Sequence, residues 1–318
     1  MKGIAVVGSI LVDKINKIDK YPSAGELTKI TSVEKCVGGL VPNVGIDLKT
    51  IDNNLRVLAV GKVSKDDDGN FVVNKMKNAY LDTSLITYSN RLSTSFTSVM
   101  SESKGERTFF TYAGASSEFG YDDIDFNALD VKMLHLGYFL LLDKIDNGDG
   151  IKILKKAKSL GIKTSIDLVS ENSDRYNLIL PCLEYVDNLI INEIEASKLT
   201  GISNEDDLES MCKALINLGV KERVIIHKKE KSAICSKNGF KTLPSIDIDK
   251  ALIKGKTGAG DAFCAGSLYA IYNEFEDSKL LDFASRCAVM NLTSANSIDG
   301  MKSKEEIYDF TKNFNYFK

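Results

Sequence analysis

Short apolar runs rich in Val and Ile alternate along the chain with longer segments in which apolar residues recur at helical spacing. The strand candidates are residues 3–8, 55–60, 132–136, 163–168, 188–192 and 223–227. Helical periodicity marks residues 43–52, 68–79, 150–160, 174–185 and 205–218. Continuously apolar strands separated by helices are typical of parallel sheets with both faces covered, so the pattern predicts an α/β fold with a mostly parallel central sheet flanked by helices.

Helix starts are indicated at two of these segments. Asp66, Asp67 and Asp68 precede one helical run, and Ser203 with Asp206 three residues later precedes another. Acidic and hydroxyl side chains at such places satisfy backbone N–H groups that have no partner inside the helix.

Two segments do not follow this alternation of apolar strands and helices. Residues 10–36 and 94–112 alternate polar and apolar positions, and the second contains a hairpin with Lys104-Gly105 at its turn. Such alternation indicates a sheet with one wet face. With no repeat, low-complexity segment or linker in the sequence, we expect residues 1–318 to form one domain that carries a small β-sheet lid.

Composition and charge narrow the class of protein. The 318 residues are 43% hydrophobic and 27% charged, with a formal net charge of −3, which gives no reason to expect nucleic acid or a membrane surface as a partner. The apolar N-terminal run is broken by Gly8 and Ser9 and closed by Asp13, which favours a first strand over a signal peptide. No stretch reaches the roughly 18 apolar residues of a membrane helix.

The six cysteines are dispersed, and the two histidines lie at no metal-ligand spacing from them. This spacing predicts no zinc site, and scattered reduced thiols fit the cytoplasm.

The segment IKGKTGAGDAF, residues 253–263, places three small residues immediately before an acidic one and a helical run. It lacks the first glycine of a Walker A loop. Gly258, Ala259 and Gly260 would lie at a helix N-terminus, where free N–H groups and the helix dipole bind anions. Asp261 would repel a phosphate that was merely bound, but it makes sense as a base that takes a proton from a hydroxyl during phosphoryl transfer. The alternative is a capped helix with an acidic first-turn residue.

Five motifs resemble those of the ribokinase-like (PfkB) sugar kinases, in the family's order and over nearly the whole chain. TGAGDAFCAG resembles the C-terminal signature D-T-x-G-A-G-D-x-F, and VGGLVPNVG (37–45) resembles the N-terminal Gly-Gly signature. NEIEA (192–196) resembles the N-x-x-E motif. GSILVD (8–13) resembles a first strand ending in a substrate-binding Asp, and GKVSKDDDGNFV (61–72) a glycine-and-acid turn.

The resemblance implies a three-layer, doubly wound sheet with a β-lid, and ATP-dependent phosphorylation of a sugar hydroxyl. It implies Asp261 as the catalytic base and the backbone of Gly258, Ala259 and Gly260 as the anion hole. The implied sugar-side residues are Asp13, Gly39 and Asn43, with Gly38 as part of a hinge. The implied ATP and Mg²⁺–phosphate side comprises Asn192, Glu195 and Thr257, with His227 and Lys256 as further candidates. It implies no metal bound directly by the protein, with Mg²⁺ held through water near Glu195.

Each assignment has a purely structural alternative. Gly38-Gly39 can be a turn, and Asn43 can be the N-cap of the helix after Pro42. Asp13 can cap a strand end, and Asn192 with Glu195 can be a helix start.

The chain departs from the family pattern at three places. Gly255-Lys256 replaces the usual Asp-Thr, whose Asp commonly helps to hold a monovalent cation, so we expect weak or absent K⁺ dependence. The stretch HKKEKS (227–232) has no glycine where the family's nucleotide loop is expected. Leu11 and Gly137 stand where ribokinases carry polar ribose contacts, which argues against ribose because buried hydroxyls without partners are costly.

The sequence therefore predicts an ATP-dependent sugar kinase with fructose or another hexose or ketose ahead of ribose. A nucleoside or a 2-keto-3-deoxy sugar acid is the alternative substrate, and Arg107 in the lid hairpin is then the nearest cation, unless it is an ordinary surface arginine. A non-catalytic sugar or nucleotide sensor is the rival from another class, although the presence of Asp261 favours the enzyme. A homodimer through the β-lid is a further expectation.

Overall fold

The computed structural model describes residues 2–102, 107–171 and 173–317. Its strands are β1 Gly3–Val7, β2 Leu11–Ile18, β3 Ile30–Gly38, β4 Val57–Ser64, β5 Asp82–Ser89, β6 Ser95–Glu102, β7 Arg107–Tyr112, β8 Val131–Phe139, β9 Lys163–Leu168, β10 Asn188–Asn192, β11 Arg223–His227, β12 Lys231–Ser236, β13 Gly239–Pro244, β14 Ile246–Asp247 and β15 Asn315–Tyr316. Its α-helices are α1 Leu40–Ile51, α2 Asp67–Asn78, α3 Gly150–Ser159, α4 Glu193–Thr200, α5 Leu208–Asn217, α6 Ala259–Tyr272, α7 Asp277–Leu292 and α8 Lys304–Thr311.

The central sheet has the strand order β13-β12-β11-β10-β9-β8-β1-β4-β5. Strands β1, β4, β5 and β8 to β11 run parallel, and β12 and β13 extend one edge as antiparallel strands. The chain runs outward from β1 through β4 to β5, and then returns to build the other half from β8. Strands β1 and β8 therefore flank the topological switch point, which is where open α/β sheets place their ligand sites.

Alternate side chains of the central strands enter two separate cores. Ile4 and Val6 of β1 pack into the cluster that contains the apolar faces of α1, α2, α6 and α7. Ala5 and Val7 of the same strand pack into the cluster built with α3, α4 and α5. Because both faces of the strand are covered, it reads as a continuous apolar run, which confirms the three-layer, doubly wound fold expected from the sequence.

The helix assignments hold with two corrections. Asp66 caps α2 as expected, since its side chain accepts a hydrogen bond from the N–H of Gly69. The cap of α5 is Asp207 rather than Ser203, so the helix begins later than the sequence indicates. Residues 175–185 form a 3₁₀-helix instead of an α-helix; Pro181 inside it has no N–H to donate.

The two polar-rich segments form a four-stranded sheet of order β3-β2-β6-β7, in which β2 and β6 are parallel neighbours. The expected Lys104-Gly105 turn lies outside the described residues. The edge strand β7 is exposed along its whole length, including the neighbours Phe109 and Phe110, whose side chains point to opposite faces. The expectation of a single wet face is therefore wrong for this edge, because nothing in the described chain covers either side of it.

No helix within the described ranges is long and apolar enough to cross a membrane.

Candidate active site

The carboxyl ends of four neighbouring central strands meet the N-terminus of α6 around a cavity of about 200 Å³. Strand β8 contributes Tyr138, β9 contributes Asp167, β10 ends at Asn192 and β11 ends at His227. The remaining lining residues are Leu168, Val169, Ser170, Ile190, Glu195, Gly258, Gly260, Asp261 and Cys264. Parallel strands bring their carboxyl ends to one edge, so polar residues far apart in sequence share one site.

Asp261 lies buried in the first turn of α6, and both of its carboxylate oxygens accept hydrogen bonds from side chains. Asn43 Nδ2 donates to Oδ2 at 2.9 Å, and the Tyr138 hydroxyl donates to Oδ1 at 2.9 Å. Burial, and then the charge of Asp167, raise the pKa of Asp261 to about 7, although the bonds from Asn43 and Tyr138 oppose the rise. A carboxyl group that titrates near neutrality is suited to general-base chemistry.

Asn43 is held in place from both ends of its side-chain amide. Ser297 Oγ donates to Asn43 Oδ1 at 2.9 Å, which leaves the amide nitrogen facing Asp261. Asn43 lies inside α1, whose N-cap is Gly39, so the alternative that Asn43 caps this helix is wrong. The amide orients the carboxylate of Asp261.

Tyr138 reaches Asp261 because of an unusual backbone conformation. Its φ is 59°, a left-handed value that few non-glycine residues adopt. Its N–H donates to Asp167 Oδ1 at 2.7 Å, so the same carboxylate that raises the pKa of Asp261 also fixes this turn of the chain. Strained backbone of this kind clusters at functional sites.

The N-terminus of α6 supplies the backbone groups that an anion hole requires. Gly258 is the N-cap with a φ of 82°, and a Cβ there would lie 2.6 Å from Ser297 Cβ. Glycine is therefore required on two counts, conformation and space. The first N–H groups of the 14-residue helix point out of its end, beside Asp261.

Asp13 lies on β2 next to the Gly38-Gly39 pair. A Cβ on Gly38 would come within 2.6 Å of Asp13 Oδ2, so only glycine lets β3 pass this carboxylate. Burial raises the pKa of Asp13 to about 7. The charge of Asp13 also contributes to the raised pKa of Asp261, so the ionisation of the two carboxyl groups is coupled.

Asn192 and Glu195 form a capping box at the start of α4. Asn192 Oδ1 accepts from the Glu195 N–H at 2.9 Å, and Glu195 Oε2 accepts from the Asn192 N–H at 3.0 Å. The Ser170 hydroxyl donates to Glu195 Oε1 at 2.8 Å. Burial raises the pKa of Glu195 to about 7, against the opposing effect of these hydrogen bonds. Asn192 and Glu195 therefore do start a helix, as the structural alternative expected. Both residues also line the cavity.

A second cavity of about 460 Å³ adjoins the first and is mostly apolar in its lining. His227, Asn192 and Gly260 line both cavities. The His227 ring lies 4.7 Å from the Phe263 ring, and burial lowers the pKa of His227 to about 4, so this imidazole is neutral at physiological pH. Lys256 also lines the larger cavity, with an exposed side chain.

Thr257 is exposed just before the helix N-terminus, and the four-stranded sheet reaches it there. Arg107 of β7 donates from Nη1 to Thr257 Oγ1 at 2.8 Å. This contact sets a guanidinium from the four-stranded sheet beside the N-terminus of α6. Arg107 is itself exposed, and this is the contact by which it meets the segment before α6.

The family model for the pfkB family carbohydrate kinases matches residues 1–304. The chain belongs to this family. Its members are ATP-dependent phosphotransferases with an alcohol group as acceptor, and the recognition of the family from the five sequence motifs is confirmed.

Relatives within the family act on more than one sugar. The chain is similar to a ribokinase of Staphylococcus aureus (strain COL), with 21% identity over 308 residues that cover 96% of this chain and 98% of that one. It is also similar to a 5-dehydro-2-deoxygluconokinase of Clostridium beijerinckii, with 27% identity over 97% of this chain and 92% of that one. The fold matches that of Arabidopsis thaliana ribokinase complexed with ribose and ATP, with a TM-score of 0.85, 21% identity and coverage of 98% and 99%.

The structure brings most of the residues predicted from the sequence to one region, and it adds three that the sequence analysis missed. Tyr138, Asp167 and Ser297 have no motif of their own. Asp167 was open to prediction, because it stands near the carboxyl end of a recognised strand, as Asn192 and His227 do. Tyr138 depends on a left-handed turn and Ser297 on a tertiary contact, and neither leaves a local signal.

Proposed function

We propose that this carbohydrate kinase transfers the γ-phosphoryl group of ATP to a hydroxyl of a small keto sugar, with Asp261 as the general base. The observation that carries the proposal is the position of Asp261, a buried carboxyl group with a pKa of about 7 beside the free N–H groups of α6. A base and an anion site at adjoining positions are what in-line phosphoryl transfer needs.

In this mechanism Asp261 loses its proton before the sugar hydroxyl is deprotonated. Asn43 and Tyr138 orient the carboxylate by donating to its oxygens. The backbone N–H groups of Gly258, Ala259 and Gly260 stabilise the charge that develops on the transferred phosphoryl group. Closure of the β-lid would exclude water and so protect ATP from hydrolysis.

ATP would span the two adjoining cavities, with its adenosine in the apolar one and its phosphates directed towards the N-terminus of α6. His227, at the wall that the cavities share, is placed between these two parts. Mg²⁺, which neutralises phosphate charge when bound, fits the oxygen donors of Asn192 and Glu195 through water, since both Glu195 oxygens already accept hydrogen bonds.

Ribose is the weaker substrate candidate because two positions that would contact its hydroxyls carry no polar side chain. A Cβ at Gly137 would come within 2.4 Å of Asp167 Oδ1, so the site has no room for an acidic side chain there. Leu11 is buried and offers no hydrogen bond to a hydroxyl. A ketose that does not require these two partners fits better.

A keto sugar acid is the second candidate, and the contact between Arg107 and Thr257 favours it. A guanidinium at the mouth of the site can pair with a substrate carboxylate in a bidentate manner. The relative from C. beijerinckii, a 5-dehydro-2-deoxygluconokinase, agrees with this possibility.

We further propose that two copies of the chain associate through the β-lid. Phe109 and Phe110 on the edge strand are more than half exposed, and Val33 on the opposite edge is 68% exposed. A second copy packed on this sheet would remove such apolar area from water. Sedimentation analysis of Phe109→Lys against the wild type tests this, since a monomeric wild type would contradict it.

The substrate is tested by ADP production with a panel of sugars. We expect turnover with a ketose or a keto sugar acid, and none with the Asp261→Asn variant prepared in parallel, which controls for contaminating kinases. Arg107→Ala should raise the KM for a sugar acid more than that for a neutral ketose. Arg91→Ala, at an exposed arginine paired with Glu118, is the matched control. Turnover with nucleosides alone would overturn the sugar assignment.

A further inference from the structure

A compact group of three different metal-binding side chains lies at the floor of the cavity. His135 of β8, Asp167 of β9 and Cys264 of α6 are all buried, and one ligand atom from each lies within 4.8 Å of the other two. The three residues are far apart in the sequence, which is why the spacing of histidines and cysteines along the chain gave no sign of them.

Two of the three separations match those between ligands of one metal ion, and the third, between Asp167 and Cys264, is within 4.8 Å. His135 Nε2 lies 3.5 Å from Asp167 Oδ2 and 3.4 Å from Cys264 Sγ. Zinc binds N and O at about 2.0–2.2 Å and S at about 2.3 Å, so a tetrahedral site has N···O edges of roughly 3.4 Å and N···S edges of roughly 3.6 Å. The side chains can therefore hold a metal with little rearrangement.

The surroundings supply what such a site needs beyond its ligands. His135 Nδ1 lies 2.9 Å from Ser165 Oγ, a partner that can accept the ring N–H and leave Nε2 free to bind a metal. Asp167 Oδ1 is occupied by the Tyr138 N–H, which leaves Oδ2 on the side of His135. Asp167 and Cys264 line the cavity, so an ion can enter and keep a fourth position open to it.

We propose that His135, Asp167 and Cys264 bind a thiolate-preferring divalent metal such as Zn²⁺, at a site distinct from the Mg²⁺–phosphate side near Glu195. Nitrogen and sulphur donors select Zn²⁺ or Co²⁺ over Mg²⁺, which prefers oxygen and keeps its water. Binding releases the thiol proton to solvent as the Cys264 thiolate forms the metal–sulphur bond. The site shares its cavity with Asp261, three residues earlier on the same helix.

Cobalt titration of the purified, metal-free full chain tests the site directly. We expect one equivalent of Co²⁺ to give the near-ultraviolet charge-transfer band of a cobalt–thiolate bond and the visible bands of a tetrahedral ion. Cys264→Ser should abolish the charge-transfer band, and Cys182→Ser, at another buried thiol, should leave it intact. A roughly tenfold excess of Mg²⁺ over Co²⁺ should not displace the cobalt, because thiolate and imidazole ligands favour Co²⁺ over Mg²⁺.

Thermal unfolding keeps the test valid if a variant is unstable. Zn²⁺ that binds only the folded state raises the Tm of the wild type, and it should leave the Tm of a folded Cys264→Ser or Asp167→Asn variant unchanged. Absence of the cobalt–thiolate band in the wild type, or its persistence in Cys264→Ser, would overturn the proposal.

Discussion

The proposed acceptor side and the proposed nucleotide side of the site are built in different ways. On the acceptor side, residues from three motifs lie close together: Asn43 donates a hydrogen bond to Asp261, and Gly38 passes close to Asp13. On the nucleotide side, Asn192 and Glu195 bond mainly to each other, and the adjoining cavity is largely apolar.

This difference follows from what each side would have to do. A general base needs a fixed carboxylate with a tuned pKa, so its partners are specified residue by residue. An apolar nucleotide cavity needs shape and backbone N–H groups, which many sequences supply. The family pattern is kept at Gly258, Ala259, Gly260 and Asp261. It is altered at Gly255, Lys256 and the stretch 227–232, and on the acceptor side at Leu11 and Gly137.

The largest expected effect is on the acceptor side. Asp261→Asn keeps the size of the side chain and cannot accept the proton, so kcat should fall by at least ~10²-fold with the fold and substrate binding retained. Steady-state kinetics together with circular dichroism measure this. A variant that retains more than roughly a tenth of the wild-type kcat would remove Asp261 from the role of base.

A smaller loss is expected when the orienting hydroxyl is removed. Tyr138→Phe deletes one hydrogen bond to Asp261, and we expect kcat to fall by about 10-fold, in line with the loss of one hydrogen bond to a charged group. Because that bond lowers the pKa of Asp261, its loss should also move the acid limb of the pH–rate profile to higher pH. Tyr121→Phe, at a tyrosine outside the cavity, is the matched control. An unchanged pH profile in Tyr138→Phe would contradict the orienting role.

The nucleotide side should respond differently to the same kind of truncation. His227→Ala removes a neutral ring from the wall shared by the cavities, so we expect the KM for ATP to rise by roughly 3- to 5-fold with little change in the KM for sugar, as for lost ground-state binding. A large fall in kcat alone would mean that His227 takes part in the chemistry and that the two sides are less separate than proposed.

The smallest effect is expected for monovalent cations. Gly255 supplies no side-chain ligand and lies against the carbonyl oxygens of Ser294 and Ala295, and Lys256 is cationic. Activity should therefore differ by less than ~3-fold between K⁺ and a bulky organic cation at matched ionic strength, or under ~0.7 kcal/mol in barrier. Strong K⁺ activation would show that backbone carbonyls alone build a cation site.

The companion variant combines Gly255→Asp with Lys256→Thr, the usual family pair, and should create K⁺ dependence. A Cβ at 255 would lie 2.7 Å from the Ser294 carbonyl oxygen, so this segment must shift to admit the aspartate. The folded state of the variant therefore has to be verified by its thermal unfolding before its K⁺ response is interpreted.

Much of the fold and the acceptor side was predictable from sequence, for a physical reason. A parallel strand buried on both faces, such as β1, leaves an uninterrupted apolar run in the sequence. The close-packed helix N-terminus at Gly258 requires consecutive small residues, which leave a recognisable motif. Tyr138 and the group formed by His135, Asp167 and Cys264 were not predictable, because they depend on which strand ends lie side by side. Strand β13 was missed because its edge position allows a mixed, partly exposed pattern, and β12 because its buried run is only four residues long.

The pH dependence of the wild-type enzyme tests the central claim, that the buried Asp261 must lose its proton before transfer occurs. Its raised pKa means that ionisation disfavours the folded state, so this group's stabilising contribution is present at low pH and is lost as the pH rises through about 7. Activity should instead rise as the pH rises through about 7, because Asp261 then becomes able to accept a proton.

The most direct measurement is kcat/KM for the sugar, at saturating ATP, from about pH 5 to about pH 9. The account predicts a rise with pH and an apparent pKa near 7, which belongs to the coupled carboxyl groups of Asp261 and Asp13. Urea unfolding should show the wild type losing stability relative to Asp261→Asn from about pH 5 to about pH 7, with little further loss above that, because the group is then ionised in both the folded and the unfolded state. A kcat/KM that stays constant down to about pH 5 would contradict the account, because Asp261 would then be ionised throughout.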